Sequence, residues 1–385
     1  MSEKRKDSKG RILKTGESER KDGLYQYRYK DINGERRTIY ERNLQDLRKK
    51  EKEIELRLSQ GISYYDGCIT LRDAMDKVFS IKRKWKDSTR YTMEKYRTLF
   101  DGHRIYTMPI NKIKVVDCKE FCVYLHDKGF AFGTVATVHS LLKMTFDVAC
   151  ESEALAKNPC SFQLKSIIND DTPKVMALTR EQEASLLNFL KEDAIGKKHY
   201  DMFVVLLGTG IRISEYAAIT IKDIDFKENV LRIDKQITRT KGNLRITTPK
   251  SKNAVRNIPM TPEVRASLLS LISKRQSIKL NVMIDGHVSF LAVTRNGRPR
   301  THSEYADACR LLMNKYNQSS KVPIERCTPH VLRHTFCTKC IAEGMDVKTV
   351  QYLMGHSDAT TTLNIYANEV QENIVSGMEK IRVYC

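Results

Sequence analysis

The chain opens on alternating apolar and polar positions and then shifts to a helical stripe. Leu24-Tyr25-Gln26-Tyr27-Arg28-Tyr29 alternates, and Arg36-Arg37-Thr38-Ile39-Tyr40 is the next β-like run. Asn33-Gly34 between them is a strong hairpin-turn signal. Over residues 44–58 the period lengthens, with Leu47, Ile54 and Leu58 on one stripe among Lys and Glu, which predicts a helix. Residues 65–165 read as helical. Thr70 is placed to cap a helix through Phe79, Ser88 or Thr89 a second through Phe100, and Asp117 a third that ends by Gly129. A fourth covers residues 134–150, with Val135, Val138, Leu142, Phe146 and Ala149 three or four apart. Four short helices of this kind make a compact bundle.

Asn169-Asp170-Asp171-Thr172-Pro173 is polar and ends in proline, as a linker would. Thr179-Arg-Glu-Gln182 then gives a capping-box pattern ahead of Leu186, Leu187 and Leu190, and helices run on to Leu207. β-like runs follow at 230–237, 244–248 and 255–259, and the rest is mostly helical. The fold class expected is multidomain and mainly α with small β-sheets. An N-terminal three-stranded sheet plus helix occupies 1–62, a four-helix domain 65–168, and an α+β domain 173–385.

Length agrees, since 385 residues exceed one ordinary domain. Charge narrows the partners. A net charge of +20, with 41% hydrophobic residues to build cores, calls for an anionic partner: nucleic acid or a membrane surface. The longest apolar run, residues 202–207, is far short of the roughly 20 residues that span a bilayer. The N-terminus MSEKRKDSKG lacks the hydrophobic stretch of a secretory signal, so a cytoplasmic protein without membrane contact is expected. Ten cysteines are scattered singly, and the CxxC at Cys337 and Cys340 has no second ligand pair, so reduced thiols and no metal are expected. Arg28, Arg36 and Arg37 interleave with tyrosines on strands, and Lys82-Arg83-Lys84-Trp85-Lys86 forms a basic loop. Both suit a phosphate backbone, and both are also what a solvated basic face looks like.

Four patterns in the last domain carry the chemistry. Gly208-Thr-Gly-Ile-Arg212-Ile-Ser-Glu215 lacks the spacing of nucleotide-binding loops but sets an arginine at a helix start with Glu215 to brace the turn. Thr248-Pro-Lys250-Ser-Lys252-Asn-Ala-Val-Arg256-Asn-Ile-Pro259 is a basic hairpin. His330-Val-Leu-Arg333-His334-Thr335 puts His330 and Arg333 on one helix face. Leu353-Met-Gly355-His356-Ser357 is followed by Tyr366. Each alone has a bland reading as an ion pair, a core histidine or a solvated lysine. Together, two arginines, a lysine, two histidines and a late tyrosine are an inventory for phosphodiester chemistry. Guanidiniums can hold the charge that builds on a five-coordinate phosphorus, a tyrosine hydroxyl can attack it, and a lysine can protonate the leaving 5′ oxygen. No acidic cluster suited to two Mg²⁺ ions stands among these motifs, which favours metal-independent transfer without a cofactor.

GTGIRISE, HVLRHTF and LMGHSDATTTLNIYA resemble the motif boxes of the tyrosine recombinases, also called phage-type integrases. The match covers about 175–370; the helices before it fit that family's core-binding domain. The N-terminal sheet and helix are similar to the arm-binding domain of integrases from Gram-positive conjugative transposons. The resemblance implies Tyr366 as a nucleophile forming a 3′-phosphotyrosine, Arg212 and Arg333 on the scissile phosphate, and His330 and His356 assisting. It implies Lys250 as the acid, with Lys252 a rival because the gap after Arg212 is longer than in compact members, and a structural role for His334. It further implies double-stranded DNA at element ends and target, exchange through a Holliday junction, a tetrameric synapse, and an accessory DNA-bending or excision factor. Residues 367–385, with Val370, Ile374 and Met378 at helical spacing, would dock on a neighbouring protomer. A type IB topoisomerase-like nicking-closing enzyme and a non-catalytic DNA-binding protein on the same fold are the alternatives.

Overall fold

The computed structural model describes residues 5–31, 34–59, 68–173, 176–240, 242–248, 254–356, 360 and 362–363. The chain divides into two compact units, Met1–Pro173 and Lys174–Cys385.

The first unit begins with a three-stranded antiparallel sheet of β1 (Glu17–Glu19), β2 (Tyr25–Lys30) and β3 (Arg36–Glu41), followed by helix α1 (Leu44–Ser59). The alternation in β2 sorts its residues by face: Tyr25, Tyr27 and Tyr29 are buried against Leu44, Leu47 and Ile54 of α1, while Arg28 and Lys30 point outward. The register sets Arg28 opposite Thr38 and Lys30 opposite Arg36, so the outer face is basic. Of the expected hairpin turn, Asn33 lies outside the described residues; Gly34 donates its N–H to Asp31.

Four helices follow, α2 (Leu71–Ile81), α3 (Asp87–Arg97), α4 (Val115–Asp127) and α5 (Phe132–Glu151), around a separate core of Met75, Phe100, Phe121, Leu142 and Phe146. Thr70 caps α2 as expected, its hydroxyl accepting from Asp73 N while Asp73 accepts from Thr70 N. Two caps differ from expectation. Helix α3 starts before Ser88, with Lys86 at the cap position and no side-chain cap bond; a short 3₁₀ turn then delivers Phe100 to the core. Asp117 lies inside the first turn of α4, reaching back to accept from Lys114 N at 2.9 Å.

The second unit opens with α6 (Arg180–Glu192), capped by Thr179 and Gln182, and α7 (Gly196–Thr209), whose core residues Phe203, Val205 and Leu206 are wholly enclosed by its neighbours. After the single turn α8 (Ile213–Tyr216) come β4 (Ile224–Asp225), β5 (Val230–Ile233), β6 (Gln236–Thr240), β7 (Asn243–Thr247) and β8 (Arg256–Pro259). The sequence run over 230–237 is two strands in two sheets, β4-β5-β8 and β6-β7. The break falls at Asp234-Lys235, where buried Lys235 turns in to pair with Asp223 at 2.5 Å. Helices α9 (Pro262–Gln276), α10 (His302–Ser319), α11 (Pro329–Ala342) and α12 (Val347–Met354) complete the described part of the unit. The whole is mainly α with small antiparallel sheets. Thr335 on α11 ties the unit's entry segment to its core, accepting from Leu178 N and donating to Val331 O, both at 2.9 Å.

Candidate active site

Three element ends meet in the second unit. Helix α7 stops at Gly210, whose left-handed φ of 63° suits glycine, and a Cβ there would lie 2.3 Å from Phe336 Cδ1. The chain turns at once into α8 with Arg212 at its cap position. Helix α12 ends the same way at Gly355, with φ of 61°, and hands the chain to His356. Helix α11 starts at Thr328-Pro329, an N-cap followed by the proline favoured in a first turn, which sets His330 and Arg333 one turn apart.

The arginines are oriented by backbone carbonyls. Arg333, buried, donates Nη1 to Gly210 O at 2.6 Å and Nη2 to Met354 O at 2.5 Å. Arg212 donates Nη2 to Gly355 O at 3.2 Å and Nη1 to Glu215 Oε1 at 2.8 Å, and Glu215 Oε2 accepts from Arg212 N at 3.0 Å. Glu215 is itself 1% exposed, whereas the Arg212 side chain keeps 38% of its surface free. Burial alone would raise the Glu215 carboxyl; the charges of Arg256 and Arg212, with their hydrogen bonds, hold it below its usual range and therefore ionised. The exposed ends of carbonyls at a helix C-terminus are partially negative, so guanidiniums settle there without a carboxylate neutralising each one.

The histidines feel the resulting positive field. Burial lowers the His356 imidazole to about 4, with Arg333, Arg212 and Arg256 adding to the effect. His330, at the exposed edge, is lowered in the same direction by partial burial and by Arg333 and Arg212. Both are neutral at pH 7, able to accept a proton on one ring nitrogen and donate from the other. His356 Nδ1 already has a partner, the Thr362 hydroxyl at 2.9 Å.

Of the six chemical positions named from sequence, the fold brings Arg212, His330, Arg333 and His356 together. Lys250, its rival Lys252, and Tyr366 lie outside the described residues, as do residues 367–385. Arg28 and Arg36 are exposed on the outer sheet face, and Arg37 pairs with Asp31 and Glu35. Arg83, Lys84 and Lys86 are exposed on the α2–α3 loop and Lys82 is half-buried, while Trp85 packs edge-on against Phe79 at 5.3 Å and so anchors that loop. Cys337 and Cys340 are buried thiols, raised by burial to about 12 and about 11. Arg256 is the residue that sequence reasoning passed over. Its signal was available: the alternation of β8 sets Arg256 on the same inward face as Ile258, and a buried arginine requires a partner.

A model of the phage integrase family matches residues 176–373, and one of the DNA binding domain of tn916 integrase matches residues 1–59. The chain belongs to the phage integrase family. It is 35% identical over 395 residues to the transposase from transposon Tn916 of Enterococcus faecalis, covering 99% of this chain and 97% of that one. To the transposase from transposon Tn1545 of Streptococcus pneumoniae it is 36% identical, with the same coverage of 99% and 97%. The Tn1549 transposon integrase, solved in complex with a circular intermediate DNA, matches with a TM-score of 0.77 and 36% identity over 81% of this chain and 100% of that one. The protein is thus a Tn916-type integrase with a tyrosine recombinase catalytic domain, an enzyme of site-specific recombination. Among the described residues, no helix of the integrase is long and apolar enough to cross a membrane.

Proposed function

We propose that the integrase cuts and rejoins double-stranded DNA at the ends of a mobile element and at its target, using Tyr366 as nucleophile. The tyrosine oxygen attacks the scissile phosphorus, the bond to the 5′ oxygen breaks, and a 3′-phosphotyrosine forms. The tyrosine proton passes to a base, a role that His330 can fill. The leaving oxygen takes a proton from Lys250, or from Lys252 in its place. Arg212 and Arg333 hold the non-bridging oxygens with donors left over from their carbonyl and carboxylate bonds, each guanidinium having five. His356 donates a further hydrogen bond. Because the phosphotyrosine keeps the energy of the phosphodiester, religation to another strand's 5′-hydroxyl needs no ATP and proceeds without a cofactor.

The observation that carries this reading is the convergence of Arg212, Arg333, His330 and His356 at the end of α12, with Tyr366 ten residues beyond His356. The rest of the chain fits a clamp on DNA: residues 1–62 an arm-binding domain, 65–168 a core-binding domain, and 173–385 the catalytic domain. The basic outer face around Arg28 and Arg36 and the loop carrying Arg83, Lys84 and Lys86 would meet phosphates. Residues 367–385 would dock on a neighbouring protomer within a tetrameric synapse, with an accessory DNA-bending or excision factor. The relatives named above come from transposons, and one is bound to a circular intermediate DNA, which supports element ends as the substrate.

The test is a nicked suicide duplex from the element's own end, incubated with the full chain in EDTA. A covalent protein–DNA band that vanishes with Tyr366→Phe is expected. A wild-type protein that binds the duplex and forms no band would overturn the assignment.

A further inference from the structure

Arg256 is the first residue of β8, and its side chain is 0% exposed. It cannot reach a phosphate. All three of its guanidinium nitrogens are nevertheless engaged: Nε donates to Leu353 O at 2.6 Å, Nη1 to Ala254 O at 2.9 Å, and Nη2 to Glu215 Oε2 at 2.9 Å. Glu215 is the carboxylate that orients Arg212, and Leu353 belongs to the turn whose next two carbonyls, Met354 and Gly355, receive Arg333 and Arg212. Three successive carbonyls therefore each take one arginine, and Arg212 and Arg256 both link that turn to Glu215, Arg212 from its exposed side and Arg256 from within the core. The packing leaves no slack. Gly355, whose φ of 61° favours glycine, lies beside it, and a Cβ there would sit 2.8 Å from Arg256 Nη1 and press on its hydrogen bonds. The Tyr352 hydroxyl, which accepts from Asn257 N at 3.1 Å, adds a second tie between β8 and α12.

We propose that Arg256 is a positioning residue for strand transfer, a buried clamp that fixes the Glu215–Arg212 pair against the turn leading into His356. The clamp rests on the functional reading above, because the groups it positions are those assigned to the scissile phosphate. A group so placed changes rate rather than affinity: DNA binding draws on many dispersed phosphate contacts, whereas cleavage needs Arg212 and His356 in register.

Arg256→Lys keeps the charge against Glu215 but cannot reach Leu353 O, Ala254 O and Glu215 together, as lysine lacks the planar fork. In the suicide-duplex assay under single turnover, the rate at saturating protein should fall by about tenfold to a hundredfold, as a misplacement on the order of 1 Å does. The half-saturating concentration should stay within about twofold of wild type, since the phosphate contacts that set affinity are untouched. Glu215→Gln should lower the rate similarly, and adding Arg256→Lys to it should cost little more, because both act through one network. If Arg256→Lys melts below the assay temperature, the double variant Arg256→Met with Glu215→Gln, which removes both partners of the buried ion pair, takes its place and is compared with Glu215→Gln alone under the rate and half-saturation criteria.

A saturated rate within about twofold of wild type would overturn the clamp, as would a half-saturation that rises in step with the rate loss. So would simple additivity of the two substitutions. A wild type that forms no covalent complex would instead overturn the functional reading, and the catalytic sense of the clamp with it.

Discussion

A carboxylate between two guanidiniums is most exposed in its energetics when one partner goes. Glu215 and Arg256 are buried together, so Glu215→Ala leaves an unpaired cation in the core and should destabilise the full chain by about 3–5 kcal/mol in urea unfolding. A loss under about 1 kcal/mol would mean that water reaches the guanidinium. Acid should act through the histidines. His356 and His199 are each lowered to about 4, His199 by burial with Arg300 and Lys198 beside it. Between that value and the unfolded value of about 6.5, the unfolded chain binds more protons, so stability rises with pH through this window and is lost as pH falls through it. The melting temperature should hold steady from pH 8 to about 7 and decline from about 6.5 toward 4. His199→Gln should flatten part of that decline; an unchanged slope would rule His199 out as a contributor.

At the scale of elements, caps and strands show what local sequence can encode. Thr70 and Thr179 were legible because a capping box needs only residues three apart, and the structure has both. Replacing either with Ala should cost about 1 kcal/mol in a chemical melt. Helix α3 is the instructive failure: Ser88 and Thr89 offered cap chemistry, yet the chain enters the helix earlier at Lys86, which has no cap bond. Lys86→Ser should then gain on the order of 1 kcal/mol of stability. If Lys86 also meets DNA, the same variant should lose affinity, and a gain in both would remove Lys86 from the contact set. The strand over 230–237 was read whole because Lys235 finds its partner Asp223 12 residues away, a pairing invisible to a short window. Arg256 was missed for the same reason, its carboxylate lying 41 residues upstream. The four chemical residues that the fold brings together were found because each sits inside a compact motif, His330 and Arg333 sharing one.

For the molecule as a whole, charge sets the working conditions. A net charge of +20 with exposed basic residues on the outer sheet face makes DNA affinity a function of salt. The logarithm of the binding constant should fall linearly with the logarithm of salt concentration, and removing Arg28 and Arg36 together should lower the slope by about two. Filter binding across a salt series on arm-type and unrelated duplexes measures it. A slope unchanged by the double substitution would place the arm contacts elsewhere.

The end of α12 holds three arginines with main-chain oxygen alone, and this has a consequence for heredity. A carboxylate can be lost by one base change, but no side-chain substitution at Leu353 or Met354 deletes a carbonyl. The carbonyl contacts of Arg212, Arg256 and Arg333 thus survive side-chain changes in that turn as long as the buried Met354 stays apolar and the main chain keeps its course, at Gly355 above all. Random libraries over residues 353–355 should therefore return active sequences that vary at Leu353, keep an apolar residue at the buried Met354, and agree on glycine at 355.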